Sequence, residues 1–450
     1  MNTRRDFFKL LGTSGVALSV GTAFGDEITE GIKRAKSRKA KRDMSLFAAP
    51  KIDELRVGII GMGSRGTMGL HRFHLFEGAR IVAICDSNPD KIPPALKYIE
   101  EKKLPKVDVY SASEEDYKRL CDRDDIDLVF ITTPWKWHVP MAVYAMNAGK
   151  HCAIEVPAAR TLSEAWALVE TSERTARHCF QLENCVYDYK EAATIIMASK
   201  GIFGEIIHTE AAYIHKLVHK LPQKETWRWA ENSRDGNLYP THGVGPVALA
   251  MGINRGDNFD YLSSVSSADF TWYTHNERAK KEVPSIKIFK KYRGNINTSI
   301  IKTKLGKTML VQHDISSDRP YDRKHTISGT KGFYQRYPLP VMMLGDKHLK
   351  KEEIDKITKE NFPEFIKKIG DFAKKIGGHG GMDTIMIYRL VECLRNGMPL
   401  DMSVYDAAAW SAITPLSIWS VANRSNSIDF PDFSAGAWST TKNLAFNTIG

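Results

Sequence analysis

Cysteine is scarce in this chain: six residues in 450, at positions 85, 121, 152, 179, 185 and 393, with no CxxC pair and no metal-type spacing. That excludes a disulfide framework, and the six read as mostly buried thiols. Strong hydrophobic runs are also wanting near the N-terminus. The uncharged stretch from Leu10 to Gly25 is too short and too rich in Gly, Ser and Thr for a spanning helix, which needs about 20 apolar residues, so a mature chain that does not span a membrane is expected. Nucleic-acid motifs are missing too. The net charge is +11, but the first 43 residues hold ten Lys/Arg against five Asp/Glu, so nearly half of the excess is local and no nucleic-acid partner is expected. What is present is ordinary globular composition, 42% hydrophobic and 26% charged, which excludes disorder, collagen and coiled coil and at this length implies two domains.

Thr3-Arg4-Arg5-Asp6-Phe7-Phe8-Lys9 ahead of the uncharged stretch looks like a twin-arginine signal, with an ordinary secretory signal or an uncleaved anchor as the alternatives. It implies a periplasmic or otherwise exported protein, handled by the twin-arginine machinery in the folded state and carrying a tightly held cofactor. Residues 26–43, rich in Lys and Arg, read as a solvated basic linker, so that signal and linker occupy 1–43 and no core is expected before Met44.

Leu55 to Ile60 is a short apolar run of strand type that feeds into Gly61-Met62-Gly63-Ser64-Arg65-Gly66. A GxGxxG hexad alone is weak. Here a helical stretch follows, and a second apolar strand, Arg80 to Cys85, ends in Asp86, twenty residues after the last glycine. In that context Gly61 serves the tight turn, Gly63 lets the backbone approach a pyrophosphate, and Gly66 lets helix and strand pack. Asp86 would accept from a ribose diol and repel a 2′-phosphate, favouring NAD over NADP, although Arg65 could itself contact a phosphate. Alternation continues with strands at Ile126–Thr132, His151–Glu155 and Cys179–Leu182, and with Pro134-Trp135-Lys136-Trp137-His138 as a loop at a strand's carboxyl end. Residues 44–185 therefore read as a doubly wound parallel sheet of Rossmann type.

From Gly204 the pattern changes to strand-like runs at Ile206–Tyr213, Tyr261–Val265, Thr298–Thr303, Thr308–His313 and Lys324–Gly329. Residues 186–450 are expected to form an α+β substrate domain with a large, open, mostly antiparallel sheet, followed by C-terminal helices that pack on either domain. The mixed-charge segment Lys347–Lys375 reads as solvated helices. His379 and Asp383 have i,i+4 spacing without a third ligand and read as a helix-start hydrogen bond, so no metal is expected.

This layout resembles the glucose-fructose oxidoreductase/inositol dehydrogenase superfamily, with two departures. The superfamily's downstream Asp-x-x-x-His element is absent as written, the nearest segment being Tyr239-Pro240-Thr241-His242-Gly243. Where dehydrogenases of that superfamily carry Glu-Lys-Pro, this chain has Glu155-Val156-Pro157, and valine cannot polarise an alcohol. Together with Trp135-Lys136-Trp137-His138, Gly149-Lys150-His151, Leu182-Glu183-Asn184-Cys185, Tyr187-Asp188, the segment Asn237 to Gly243 and Asn254-Arg255-Gly256-Asp257, the pattern is similar to glycoside hydrolase family 109 over most of residues 55–335.

The resemblance implies a glycosidase releasing terminal α-N-acetylgalactosamine or a related hexosaminide, with NAD tightly bound and recycled. The implied sequence is transient oxidation at C3, elimination, water addition and re-reduction. A net sugar dehydrogenase or epimerase is the alternative, and a carbohydrate-binding protein with a vestigial cofactor is a third reading. By resemblance, Ser64, Arg65, Asp86, Trp135 to His138, Glu155, Val156 and Asn184 line the dinucleotide; Tyr213, Arg228, Tyr239, Pro240, Thr241, His242 and Tyr321 line the sugar. His242, in what reads as a Gly/Pro-flanked turn, is the first candidate for proton traffic. Tyr239 and Tyr187 are phenolic candidates, and Glu155 could orient the cofactor or act as base. An open sheet face in such folds often pairs with another copy, so a homo-oligomer is possible.

Overall fold

A computed structural model describes residues 15–224, 226–443 and 445–446. The twin-arginine pattern at Thr3–Lys9 lies outside the described residues. Among those described, no helix is long and apolar enough to cross a membrane.

Six short strands, β1 (Leu55–Ile60), β2 (Ala79–Cys85), β3 (Asp108–Tyr110), β4 (Leu128–Ile131), β5 (His151–Ile154) and β6 (Cys179–Gln181), form a parallel sheet in the order β3-β2-β1-β4-β5-β6. The apolar run Leu-Val-Phe-Ile of β4 is buried throughout, as a strand covered on both faces must be. The order reverses between β1 and β4, and ligands of such sheets bind outside the carboxyl ends of the strands at that crevice.

The second sheet has nine strands in the order β14-β13-β12-β11-β7-β10-β9-β8-β15. Five were legible as runs: β7 (Ile206–Ile214), β8 (Phe259–Ser266), β9 (Ile296–Thr303), β10 (Thr308–Asp314) and β11 (Asp322–Gly329). The rest, β12 (Gly332–Gln335), β13 (Val341–Leu344), β14 (Lys347–His348) and β15 (Ile428–Asp429), are four residues or fewer. Every pairing is antiparallel except β7 with β10. The two C-terminal helices divide their packing. Met382–Asn396 lies on the helix Ser64–Phe73 and on β1, whereas Val404–Ala422 joins the helix Leu162–Thr175 and β6 to β8.

Residues 26–43 are not a solvated linker. A helix runs over Gly15–Ser37 and docks on the helix Leu162–Thr175. Ile28 is fully buried, and the Gly31 carbonyl accepts from Trp166 Nε1 at 2.9 Å. Arg34 pairs with Glu170 and Arg38 with the buried Glu173, so the core begins before Met44. Arg34 in the last turn of the helix and Arg38 just past its end meet carboxylates more than 130 positions away, a pairing that charge counting cannot detect. All six cysteines are buried and unpaired.

Candidate active site

The turn from β1 into the helix Ser64–Phe73 leaves a backbone cradle. Gly61 has φ +92°, and a Cβ on Gly66 would stand 1.8 Å from the Gly61 carbonyl oxygen. Around Gly63, by contrast, a Cβ would meet nothing within 4 Å, and as N-cap it makes no side-chain cap bond. The backbone at Gly63 is therefore open to close approach at the start of a helix, the arrangement that receives a pyrophosphate. At the end of β2, Asp86 accepts from the Met62 amide at 2.7 Å and from the Asn88 amide at 2.8 Å. A carboxylate has about four acceptor positions, so those remaining suit a ribose diol. These features fit NAD on this chain's own geometry.

Arg65 turns away from Asp86. Its Nε donates to Glu155 Oε1 at 2.5 Å and its Nη1 to both oxygens of Asp383 at 3.2 Å. Burial disfavours the charge of Arg65, but the Glu155 and Asp383 carboxylates outweigh it and hold the guanidinium above its ordinary value. Two of the three guanidinium nitrogens of Arg65, Nε and Nη1, are thus engaged by carboxylates.

Trp135 to His138 form the first turn of the helix Trp135–Asn147 rather than a loop. Helical spacing scatters the four residues. Lys136 is exposed, with its ammonium 5.3 Å from the Trp137 ring centroid, and Trp137 packs edge-on to Tyr117. His138 is buried between the carbonyls of Thr133 and Pro157, each at 2.8 Å, and burial pushes its pKa down. Its ring ties the turn after β4 to the turn after β5. Trp135 joins Val156, Tyr213 and Tyr239 in one apolar cluster that draws on both sheets.

The sugar-side candidates converge on that cluster. Tyr239 stacks on Trp135 at 5.8 Å, lies 4.9 Å from the Tyr213 ring, and carries the Arg228 guanidinium 4.6 Å from its centroid. Burial pushes the Tyr239 phenol up, against the opposing pull of Arg228. His242 stands edge-on to both Tyr239 and Tyr213. Tyr321, half-exposed, faces Tyr213 at 6.4 Å and accepts from Arg323 Nη1 at 2.7 Å.

Pro240 and Thr241 start the helix Thr241–Met251, so His242 belongs to a helix and not to an exposed turn. Two glycines set its position. A Cβ on Gly243 would stand 2.4 Å from the Ala212 amide nitrogen on β7, and one on Gly245 would stand 2.9 Å from Glu183 Cγ. The helix is thus pressed against the strand that carries Tyr213 and against Glu183 together. His242 Nδ1 meets Glu183 Oε1 at 2.7 Å, and the same oxygen accepts from the Cys185 amide at 3.1 Å. Glu183 is fully buried; burial opposes its ionisation, but His242 and the Thr241 hydroxyl beside it hold the carboxyl below its usual value. Glu183, Cys185 and His242 place ligand-type atoms within 4.8 Å of one another. The direct Glu183–His242 bond, and a Cys185 thiol that burial keeps protonated, describe a hydrogen-bonded dyad rather than an ion cage.

Tyr187 does not line the cleft. It is fully buried, packs on Phe365 and Phe446, and donates to Asp401 at 3.1 Å, so its proposed proton shuttling is withdrawn. Asn184 reaches the cofactor side through Asp383, to which its Nδ2 donates at 2.8 Å. Residues that sequence reasoning did not place in the site are Glu183, His215, His379 and Asp383. His215 hydrogen-bonds the Tyr213 hydroxyl at 3.1 Å, and its pKa is lowered to about 4 by burial and by Lys220, Arg228, His242 and His379. The i,i+4 bond between His379 and Asp383 exists, at 2.8 Å, but it stands at the cleft.

The family model described as glycosyl hydrolase 109, C-terminal domain, matches residues 187–440. The chain belongs to glycosyl hydrolase family 109. A second model, the oxidoreductase family with an NAD-binding Rossmann fold, matches residues 55–182 of this family 109 chain. A family 109 protein of Shewanella pealeana is 41% identical over 98% of both chains. Family 109 protein 1 of Bacteroides fragilis is 42% identical over 89% of this chain and 90% of its own. The family match runs on through the charged segment near Lys347. Among solved structures, levoglucosan dehydrogenase in complex with NADH and levoglucosan has a TM-score of 0.63 at 18% identity, covering 84% of this chain and 100% of its own. Aldose-aldose oxidoreductase from Caulobacter crescentus, complexed with glycerol, has a TM-score of 0.60 at 18% identity over the same shares. These two show the shared oxidoreductase fold of a family 109 enzyme.

Proposed function

We propose that this chain is a glycosidase releasing terminal α-N-acetylgalactosamine, or a related hexosaminide, with NAD held tightly through the turnover and restored at its end. The observation that carries the reading is the state of the carboxylates. Ordinary glycosidases oppose a carboxylate to a carboxylic acid whose pKa is raised enough to protonate the leaving oxygen. Here Glu183 and Asp383 are both held below the usual carboxylate range, Glu155 is tied to Arg65, and Glu191, which burial raises to about 7, is fully buried against Arg323. Imidazoles and phenols are left to move protons.

Gly61, Gly63, Gly66 and Asp86 would hold the dinucleotide's pyrophosphate and ribose, with Glu155, Val156 and Asn184 toward its reactive end. A bound NAD supplies a transient carbonyl at C3 of the sugar by removing and later returning a hydride, and that carbonyl acidifies the C2–H. His242 would take this proton: with Nδ1–H donated to Glu183, Nε2 keeps its lone pair. Tyr239, kept as a phenol by burial, would donate a hydrogen bond to a sugar oxygen, while Trp135, Tyr213 and Tyr321 offer rings to the pyranose. Val156 packs with Trp135 and Tyr239 where dehydrogenases carry lysine, so a net dehydrogenase would lack its proton-transfer group.

The test is a panel of 4-nitrophenyl α- and β-hexosaminides incubated with purified protein and no added NAD. The α-N-acetylgalactosaminide is expected to release nitrophenol without accumulation of ketosugar. Stoichiometric formation of an oxidised sugar, with no aglycone release, would replace this reading by the dehydrogenase one. We also infer twin-arginine export of the folded, loaded protein from Thr3 to Lys9. Replacing Arg4 and Arg5 by Lys should then retain it in the cytoplasm, and unchanged fractionation would overturn the inference.

A further inference from the structure

Five successive residues, Gly377 to Gly381, have positive φ: 81°, 80°, 48°, 70° and 103°. Only a glycine-rich run sustains such a path, and the single side chain it carries is His379. The loop is held tightly. Arg72 donates to the Gly377 carbonyl at 3.2 Å, and a Cβ on Gly378 would stand 2.2 Å from Arg72 Nη2. His379 is raised clear of this packing, with 59% of its side chain exposed, and its Nδ1 is bonded to Asp383 Oδ2 at 2.8 Å. Asp383 is itself almost wholly buried, and it also accepts from Asn184 at 2.8 Å and from Arg65 at 3.2 Å. A carboxylate so held orients the imidazole that bonds to it.

The position of the loop matters as much. Arg65 belongs to the dinucleotide turn and bridges Asp383 to Glu155, so the Asp383–His379 dyad lies on the cofactor side of the cleft. Asn184, which donates to Asp383 at 2.8 Å, directly follows Glu183, the partner of His242 at 2.7 Å, so the two dyads are joined through neighbouring residues after β6. Two acid–histidine dyads, Glu183–His242 and Asp383–His379, thus confront one cleft from different elements. Removing the C2 proton employs one. The other has no task in the scheme above, and that scheme leaves the leaving oxygen without a donor.

We propose that His379 is a further catalytic residue, the acid that protonates the departing glycosidic oxygen, with Asp383 and Arg65 as its positioning residues. This rests on the glycosidase reading. As the C2–H electron pair becomes the C1=C2 double bond, the C1–O bond breaks and its electrons leave with the aglycone oxygen. That oxygen takes the proton from His379 Nε2, and the neutral imidazole then accepts a proton from the water that adds at C1. No oxidant or reductant is consumed in this step.

Leaving-group dependence tests the proposal. Nitrophenolate departs without protonation, whereas an alkoxide does not. For His379→Gln and His379→Ala, kcat/KM on methyl α-N-acetylgalactosaminide is expected to fall about 10²–10⁴-fold, the span of general acid catalysis. On the 4-nitrophenyl glycoside the fall is expected to stay under about tenfold, the acid's part in that range being unnecessary there. Calorimetric affinity for N-acetylgalactosamine should be retained, and imidazole should restore turnover to His379→Ala. Equal losses on both glycosides, or none on either, would overturn the assignment of His379. Wild-type enzyme that cleaves neither glycoside would instead overturn the glycosidase reading itself.

Discussion

Buried Glu183 fixes the tautomer and direction of His242, and the aromatic rings of Tyr213 and Tyr239 fix its depth. Converting His242 to Ala should therefore lower kcat by about 10²–10⁴, the usual weight of a general base. Tyr239→Phe should cost less, and both variants should still carry dinucleotide, read by absorbance and mass of the denatured supernatant; full activity in both would show the site misplaced. Acid stability gives a second check. Burial raises the Asp383 carboxyl, but the bonds from His379, Arg65 and Asn184 outweigh it and leave the folded-state value depressed. A depressed folded value stabilises the protein fully above the unfolded value of about 4 and loses that stabilisation as pH falls through the folded one. The melting-temperature gap between wild type and Asp383→Asn should be widest at neutral pH and close in acid. A gap that is constant with pH would contradict this. Residue types were legible at this scale: Gly61 to Gly66 make the tight turn, Asp86 follows the end of β2, and Tyr239 and His242 meet in one ring cluster. Their partners were not, because Glu183 meets His242 across 59 positions and Asn184 meets Asp383 across 199. Tyr187 shows the same limit in reverse, since its packing on Phe365 and Phe446 and its bond to Asp401 lie more than 170 positions away in the chain.

Elements were readable where periodicity was strong and misread where two patterns coincide. Trp135 to His138 and Tyr239 to His242 both looked like loops, with Pro134 and Pro240 at their edges, yet each proline ends where a helix begins, a position proline suits. The N-terminal helix was missed for a different reason. Its basic residues look solvated in composition and are paired in space. Arg38 is 7% and Glu173 1% exposed at the side chain, and Glu173 also accepts from the Lys41 amide and from Tyr405. Arg38→Ala would leave that carboxylate buried and short of its cation, at a cost of about 3–5 kcal/mol. Calorimetry should register a clear fall in melting temperature, whereas a solvated linker would give none.

Across the whole molecule, the strand order came from the structure, while the parallel sheet and the open second sheet followed from alternation and from the GxGxxG context. The parallel pairing of β7 with β10 did not, since run length carries no direction. Nor did the return of Met382–Asn396 to the nucleotide half, which brings Asp383 and His379 to a crevice more than 300 positions earlier in the chain. That return sets the Asp383–His379 dyad on the cofactor loop beside Asn184, and it is the physical basis for expecting redox chemistry and glycoside cleavage in one cleft. The most direct measurement is cleavage of 4-nitrophenyl α-N-acetylgalactosaminide in deuterated water, without added NAD, followed by mass and NMR analysis of the sugar. The account predicts deuterium at C2 of released N-acetylgalactosamine. Full cleavage with hydrogen retained at C2, unaffected by stripping the dinucleotide, would contradict it.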